Sequence, residues 1–502
     1  MIKRTLIFLD HFHWLWLVLA SPFLLFPSVG RSMAMLVVPG LILLRWLALR
    51  ANKQAVLRDR QATTTVNRQP IIPFTPFNGA LLLLTLMVFI SLWATFDINY
   101  SLPKISGMVL GLGIFFAFAR EGQTQRGWWV SFLLFMIIGF GIAAIGLLGT
   151  QWDPKIAYLN PIASHLSPRI TGLPGAEEGF NQNSVAGDML WVIPSFCTFS
   201  WLLLTRVKNL RGLIGRGRTI ALIVLTFGAT LWTMVILFLT QSREGYIGLA
   251  LTLPVMTLIN LPPKWKRYGL IILVFLAVII GVLLALYWGE LRTWLVGSDL
   301  TKSSAFSLDS FKSRLDVWSA AIYGIRDFPY TGMGMNSFRK VALVLYPLSY
   351  FSTDLGHAHN EFLQAALDLG IPGLIAFIAL YSIAFWMLIR TWQSARLNIQ
   401  TGTRGETTSM PGGKPGDRLS VKVGFPLADK SLIQMAVLGL GGGLLAHLLW
   451  GLTDAMALGA RPAFVFWIIL GLINGLHQQA QENWPRVKNS VSNKGPENRL
   501  SK

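Results

Sequence analysis

Apolar residues run along this chain in long blocks joined by short polar or basic connections, unlike the brief alternating runs of a soluble core. The blocks fall near residues 13–29, 33–49, 79–96, 104–120, 127–149, 185–205, 219–240, 245–262, 268–288, 360–389, 431–452 and 461–477. Each is roughly 17–22 residues, about what a helix needs to cross some 30 Å of hydrocarbon. A helix satisfies its own backbone hydrogen bonds in lipid, so the pattern predicts an all-α, polytopic membrane bundle of about twelve transmembrane helices.

Two connections break the rhythm, at 150–184 and 289–356. Loops of that length usually carry function. In the second, Leu315, Trp318, Ile322 and Ile325 recur at helical spacing while Lys312, Asp316 and Arg326 lie elsewhere on the wheel, which predicts an amphipathic helix lying on the membrane surface. The stretch 402–417, rich in Gly, Thr, Ser and Pro, reads as a flexible linker. The chain divides accordingly: 1–150 holds the first five transmembrane helices, 151–288 an outer loop and helices six to nine, and 289–358 a large outer loop. Residues 359–389 form the tenth helix, 390–430 a flexible cytoplasmic loop, 431–478 the last two helices and 479–502 a cytoplasmic tail.

Composition narrows the chemistry. The one cysteine, Cys197, sits in an apolar block, which excludes a disulfide framework or a Cys-rich metal site. A net charge of +20 would suit nucleic acid, but the basic residues are dealt out between apolar blocks and form no single face. Arg50, Lys53, Arg58, Arg120, Arg126, the run Arg206 to Arg218, Lys264 to Arg267 and the connection after Arg390 all fall on alternate, even-numbered connections. Lys and Arg resist translocation, so these connections and both termini are expected inside, with the two long loops outside the bacterial inner membrane. Lys3 and Arg4 ahead of the apolar run have a signal-sequence layout, read as an uncleaved first helix. The partner implied is the lipid bilayer, with no nucleic acid.

An ionisable group costs about 2.5–3.5 kcal/mol at the centre of a membrane helix, so polar clusters in so apolar a chain are the places to look for function. His357, Ala358, His359, Asn360 and Glu361 open the tenth block, ahead of Gly370, Pro372 and Gly373. A neutral imidazole there is a candidate general base for a sugar hydroxyl; the plainer role is an interfacial histidine pair with Asn360 capping the helix. The tight turn Gln241 to Gly245 pins Arg243 near the bilayer surface, where its planar fork suits a diphosphate, or simply pairs with Glu244. Arg314, one helical turn from Trp318, could add a second donor to the same diphosphate or pair with Asp316 or Asp309. In the first outer loop, Arg169 and the amides of Asn181 and Asn183 could meet sugar hydroxyls, with helix capping the expected role of Asn183. Glu177 and Glu178 could act as a base or bind a cation, although adjacent residues point differently. The chain contains no GxxxxGK[ST] phosphate loop, no His-Glu-x-x-His and no Asp-x-Asp cluster. The energy for any transfer must therefore come from an already activated donor, and no cofactor is expected.

Four segments together resemble the O-antigen ligase and polymerase superfamily: Gln241-Ser242-Arg243, Ser313 to Trp318, Gly332-Met333-Gly334 with Phe338, and His357-Ala358-His359-Asn360. The spacing from His359 and Asn360 to Gly370 and Gly373 is similar to the family's ligase signature, and 165–390 is the stretch with recognisable motifs. Glu244 stands where a glycine or small residue is more usual. The resemblance implies a metal-independent, inverting transfer from a polyprenyl-diphosphate-linked glycan donor to an acceptor hydroxyl, on a lipid core or another glycan, outside the cytoplasm. By position, Arg243 and Arg314 would hold the diphosphate and His359 would activate the acceptor. Arg169, Asn183, His357 and Asn360 would be secondary contacts. The alternatives are a polysaccharide polymerase of the same superfamily and, in a different class, a small-anion transporter of the bicarbonate type. The transporter fits less well, because the ionisable groups collect on one side and do not line a path across the midplane.

Overall fold

A computed structural model describes residues 2–26, 29–58, 72–153, 155, 159–163, 165–173, 176–286, 308–346, 355–402, 430–456, 458–459 and 461–482. Among these the regular elements are all helical, with no strand. In chain order they are α1 (Ile2–His11), α2 (His13–Leu25), α3 (Val37–Arg58), α4 (Asn78–Ala94), α5 (Ile98–Glu121), α6 (Gln125–Gly149) and the short α7 (Asn160–Ala163). Then come α8 (Gln182–Thr205), α9 (Val207–Ile214), α10 (Arg216–Leu239), α11 (Arg243–Asn260), α12 (Pro263–Leu286), α13 (Leu308–Asp327), α14 (Phe338–Leu345), α15 (Glu361–Gly402), α16 (Lys430–Trp450) and α17 (Phe464–Glu482).

A helix stands at each of the twelve apolar blocks. Among the described residues seven are long and apolar enough to cross a membrane: Ser32–Arg50, α5, α6, α8, α10, Glu361–Ala395 and Ser431–Trp450; α2 and α4 are shorter apolar helices. The outward faces carry Val224, Leu225 and Leu231 on α10 and Ile271, Ile272 and Phe275 on α12, all more than half exposed, a surface that only lipid can cover. This is a membrane protein. The linker at 403–417, the tail beyond 482 and positions 287–307 of the late loop lie outside the described residues.

Helix starts are set by local chemistry. Asp97 caps α5, Thr124 caps α6, Asn181 caps α8 and Ser242 caps α11, each side-chain oxygen accepting from a backbone N–H two or three residues on. Lipid gives helices no hydrophobic reason to associate, so close packing across small residues has to do it. The central helices α8 and α16 meet in this way: a Cβ on Gly443 would sit 2.4 Å from the carbonyl oxygen of Trp191, and one on Gly439 2.9 Å from Cα of Ser195. Trp128, Trp191, Trp450 and Trp467 fill the space around them.

Two elements carry detail beyond the apolar pattern. The tenth block does not form one uninterrupted helix. Gly370 adopts φ 70° and ψ 179°, breaking α15 after a short first segment, and the amide of Ile371 donates to the carbonyl of Pro329 instead (2.7 Å). Pro372 explains the choice of place, since it lacks the N–H that would return to residue 368. In α13 the helix expected from the spacing is present, and the face it packs on the protein is a different one from the apolar stripe. Leu315 and Ile322 are exposed, and Val317, Ala320 and Ala321 face a cluster with Met333, Phe338, Ala342, Leu355, Ala358 and Leu367. Small side chains let α13 approach closely, which leaves Leu315 and Ile322 facing outward while Ile325 packs against the edge of the cluster.

Candidate active site

Several helix ends come together at one end of the bundle: the amino ends of α8, α11 and α15 and the carboxy ends of α6 and α16. The basic connections Arg120 to Arg126, Arg206 to Arg218 and Lys264 to Arg267 lie at the other ends of the same helices. There Asp10 accepts two bonds from Arg120 (3.0 and 2.8 Å) beside an apolar cavity of about 70 Å³.

Three separate stretches meet at the first end. Arg314 of α13 donates through Nη2 to Glu244 Oε1 at 2.6 Å, and Glu244 follows Arg243 in the first turn of α11. Arg243 lies within electrostatic reach of both Glu244 and Arg314. One turn along α13, Trp318 Nε1 donates to the carbonyl of His359 (3.3 Å). His359 takes the left-handed φ of 47°, which turns the chain just ahead of the cap of α15. Asn360 is that cap: its Oδ1 accepts from the amides of Phe362 (2.9 Å) and Leu363 (3.0 Å), and its Nδ2 donates to the carbonyl of Leu452 (2.9 Å).

The two imidazoles share one carboxylate. His357 Nε2 stands 3.5 Å and His359 Nδ1 3.7 Å from Asp454 Oδ1, and the rings pack edge to face with centroids 4.4 Å apart. The amide of His359 donates to His357 Nδ1 (3.2 Å), so the neutral His357 carries its proton on Nε2, facing Asp454. His359 Nδ1 is buried without a hydrogen bond, 3.7 Å from that carboxylate, and a proton held there would leave Nε2 with the lone pair that a general base needs. Burial pushes the Asp454 carboxyl up, but the imidazoles of His359 and His357 and the backbone amide of Ala455 outweigh it and hold Asp454 well below the usual carboxylate range. Burial pushes His357 down to about 4, with His359, Lys104 and Arg314 adding and Asp454 opposing. His357 is therefore neutral at physiological pH. One atom each from His357, His359 and Asp454 lies within 4.8 Å of the others, so these are the residues that could hold a metal ion.

Beneath the histidines, His447 Nε2 meets Glu361 Oε1 at 2.9 Å while its Nδ1 faces the carbonyl of Gly187 at 3.1 Å, and its ring stacks on Trp191. A carbonyl on one side and a carboxyl on the other require a proton held between His447 and Glu361. Beside them Lys104 reaches Asp368 (2.7 Å), whose other oxygen accepts from the amide of Asn336 and from Gln364 Nε2. This pair fixes the Gly332-Met333-Gly334 turn against the start of α5, where Ser101 donates to the carbonyl of Met335.

The residues read from the sequence divide. Arg243, Arg314, His357, His359 and Asn360 are gathered at one place. Asn183 lies in the first turn of α8 but does not cap it. Asn181 does, and Asn183 Oδ1 accepts from Lys155 Nζ at 3.0 Å. Arg169 is exposed on the loop between α7 and α8, held there by its backbone bond to Leu148, and no contact joins it to the cluster among the described residues.

The O-antigen ligase family model matches residues 228–378. Over that stretch the chain is similar to the O-antigen ligase family. Comparison with curated proteins gives no match. The matched ligase segment runs from within α10 to within α15, so it contains Arg243, Glu244, Arg314, Trp318, His357 and His359. Lys155, Asn183 and Asp454 reach the cluster from outside that segment.

Lys155 and Asp454 are the residues that sequence reasoning passed over. Asp454 looks like a charge in a helix interior, yet α16 ends at Trp450 and the following turn delivers the carboxylate to the histidines. Lys155 counts in the sequence only as one more outer charge. In the structure its amide donates to Gln241 Oε1 (2.8 Å), and burial, aided by Arg243, lowers its ammonium from the usual range against the carboxylates of Glu244, Asp454 and Asp153. Only their positions just past the ends of apolar blocks could have singled them out.

Proposed function

We propose that this chain transfers a glycan from a polyprenyl-diphosphate donor to an acceptor hydroxyl at the outer face of the inner membrane. The observation that carries the reading is the junction of two arginines with a carboxylate-oriented histidine at the end of a lipid-embedded bundle. The acceptor oxygen attacks the anomeric carbon, and His359 Nε2 takes its proton. The bond from that carbon to the diphosphate oxygen breaks, and the departing electron pair is stabilised by Arg243 and Arg314. Attack from the face opposite the leaving group inverts the anomeric centre. Asp454 keeps His359 in the tautomer that accepts a proton and stabilises the imidazolium that forms. Lys155 adds positive charge near Arg243. Diphosphate is already a good leaving group, so this residue set is sufficient without a metal, and His357, His359 and Asp454 act as proton-handling groups.

A ligase and a polymerase differ in the acceptor offered to His359, a lipid core in one case and another lipid-linked glycan in the other; the reading here is the ligase. The test is the full-length chain in lipid nanodiscs with a polyprenyl-diphosphate oligosaccharide, a lipid-core acceptor or a second lipid-linked glycan, and EDTA throughout. Transfer to the lipid core with inverted anomeric configuration is expected. Transfer abolished by EDTA, retained configuration, or no product with either acceptor contradicts the reading.

A further inference from the structure

Beside Lys155 the outer loop borders a half-open cavity of about 400 Å³, within the range of roughly 300–1,000 Å³ typical of small-molecule sites. Its walls are polar. Gln151, Asn181 and Gln182 contribute amides, and Asp153, Glu177 and Glu178 contribute carboxylates. The rim is fixed by backbone bonds: Gln151 N donates to the carbonyl of Phe180, and Phe180 N to that of Gly149, so the opening is formed before anything enters. Gln182 is 3% exposed and uses Nε2 to hold the carbonyl of Asp153 (2.8 Å), yet its Oε1 is buried without a hydrogen-bond partner. Lys155 forms the wall toward the cluster, with its Nζ on Asn183 and its charge felt by Glu244 and Asp454.

We infer that this cavity is a sugar subsite that takes a hydroxyl-rich, neutral or amine-bearing pyranose of the transferred or accepting glycan and disfavours acidic sugars. The inference rests on the glycan-transfer reading. Amides and carboxylates are suited to sugar hydroxyls, since each accepts from an O–H and the amides also donate. Three carboxylates against one ammonium repel a uronic acid and attract an ammonium-bearing sugar. A sugar one unit from the reacting centre would fit here, because Lys155 touches both the cavity and the groups around Arg243.

The direct test is saturation-transfer NMR on the full chain in nanodiscs with three probes at equal concentration: methyl glucoside, methyl glucosaminide and methyl glucuronide. Signal from the first two and none from the third is expected. Exposed Glu178 tolerates substitution without threat to folding. Glu178→Gln should weaken the glucosaminide about fivefold to tenfold, the loss of one charge-assisted hydrogen bond, and Glu178→Lys should admit the glucuronide. Gln182→Met, checked for folding by thermal stability, should weaken both bound sugars. Equal binding of all three probes, or binding unchanged in Glu178→Gln and Glu178→Lys, overturns the inference. The source of the sugar follows from kinetics: Glu178→Gln raising KM for the lipid-linked donor assigns the site to the donor glycan, and raising KM for the acceptor assigns it to the acceptor. A KM unchanged for both contradicts the subsite even if transfer proceeds. Sugar binding with no transfer in wild-type protein removes the catalytic reading and leaves the cavity assignment standing.

Discussion

Arg314 and Glu244 form a 2.6 Å ion pair across 70 positions of sequence, in the place where a bound diphosphate would need the arginine. The carboxylate holds the guanidinium ready and also opposes an incoming anion. Glu244→Gln keeps an acceptor for Arg314 and removes the negative charge. The variant is expected to bind pyrophosphate about tenfold more tightly, equivalent to about 1.4 kcal/mol, by calorimetry in nanodiscs. Affinity unchanged or weakened would mean that Glu244 does not face the anion.

Asp454 stands 3.7 Å from His359 and should act through it. Asp454→Asn removes the charge that stabilises the imidazolium and lets the ring adopt the wrong tautomer. The expected outcome is a fall of about 100-fold in kcat with donor affinity preserved, and partial recovery in Asp454→Glu. A matching loss of donor binding would assign Asp454 to binding instead.

Much of this fold can be read in the chain. Helices occur at all twelve apolar blocks because blocks of that length leave the backbone no other economical state in lipid. The arginines and histidines stood out because charges are scarce among such residues. The break at Gly370 was harder to place, since Gly370, Pro372 and Gly373 are equally compatible with a continuous helix start. The face of α13 that packs on the protein has no periodic apolar signal, because close approach selects Val317, Ala320 and Ala321, two of them small. Asp454 and Lys155 are hidden for a different reason: they act through contacts across tens of positions, which no local pattern contains.

Protonation of His357 gives the site a pH limit. Its folded pKa, about 4, lies below the ordinary 6.5, so the unfolded chain binds the extra proton first. The stability it contributes is complete above about pH 6.5 and is lost as pH falls through 4. Thermal unfolding of the protein in nanodiscs should drop over that interval, and less steeply in His357→Gln. An identical pH dependence in wild type and variant would contradict the assignment.

Lys104 and Asp368 are each buried, and removing one leaves the other without its counter-charge. Lys104→Met is expected to destabilise the protein by about 3–5 kcal/mol, and the double variant Lys104→Met with Asp368→Leu to recover a good part of that. Chemical denaturation in mild detergent would measure both. If the double variant is as unstable as the sum of the two single changes, the pair is not coupled.

The division of labour between the arginines and His359 is open to one direct measurement: donor binding and single-turnover transfer compared in His359→Ala, Arg243→Ala and Arg314→Ala. His359→Ala is expected to bind the polyprenyl-diphosphate glycan as wild type does and to form product at least about 100-fold more slowly, while both arginine variants lose donor affinity as well as rate. Product formed at the native rate by His359→Ala, or undiminished donor binding by both arginine variants, would contradict the assignment.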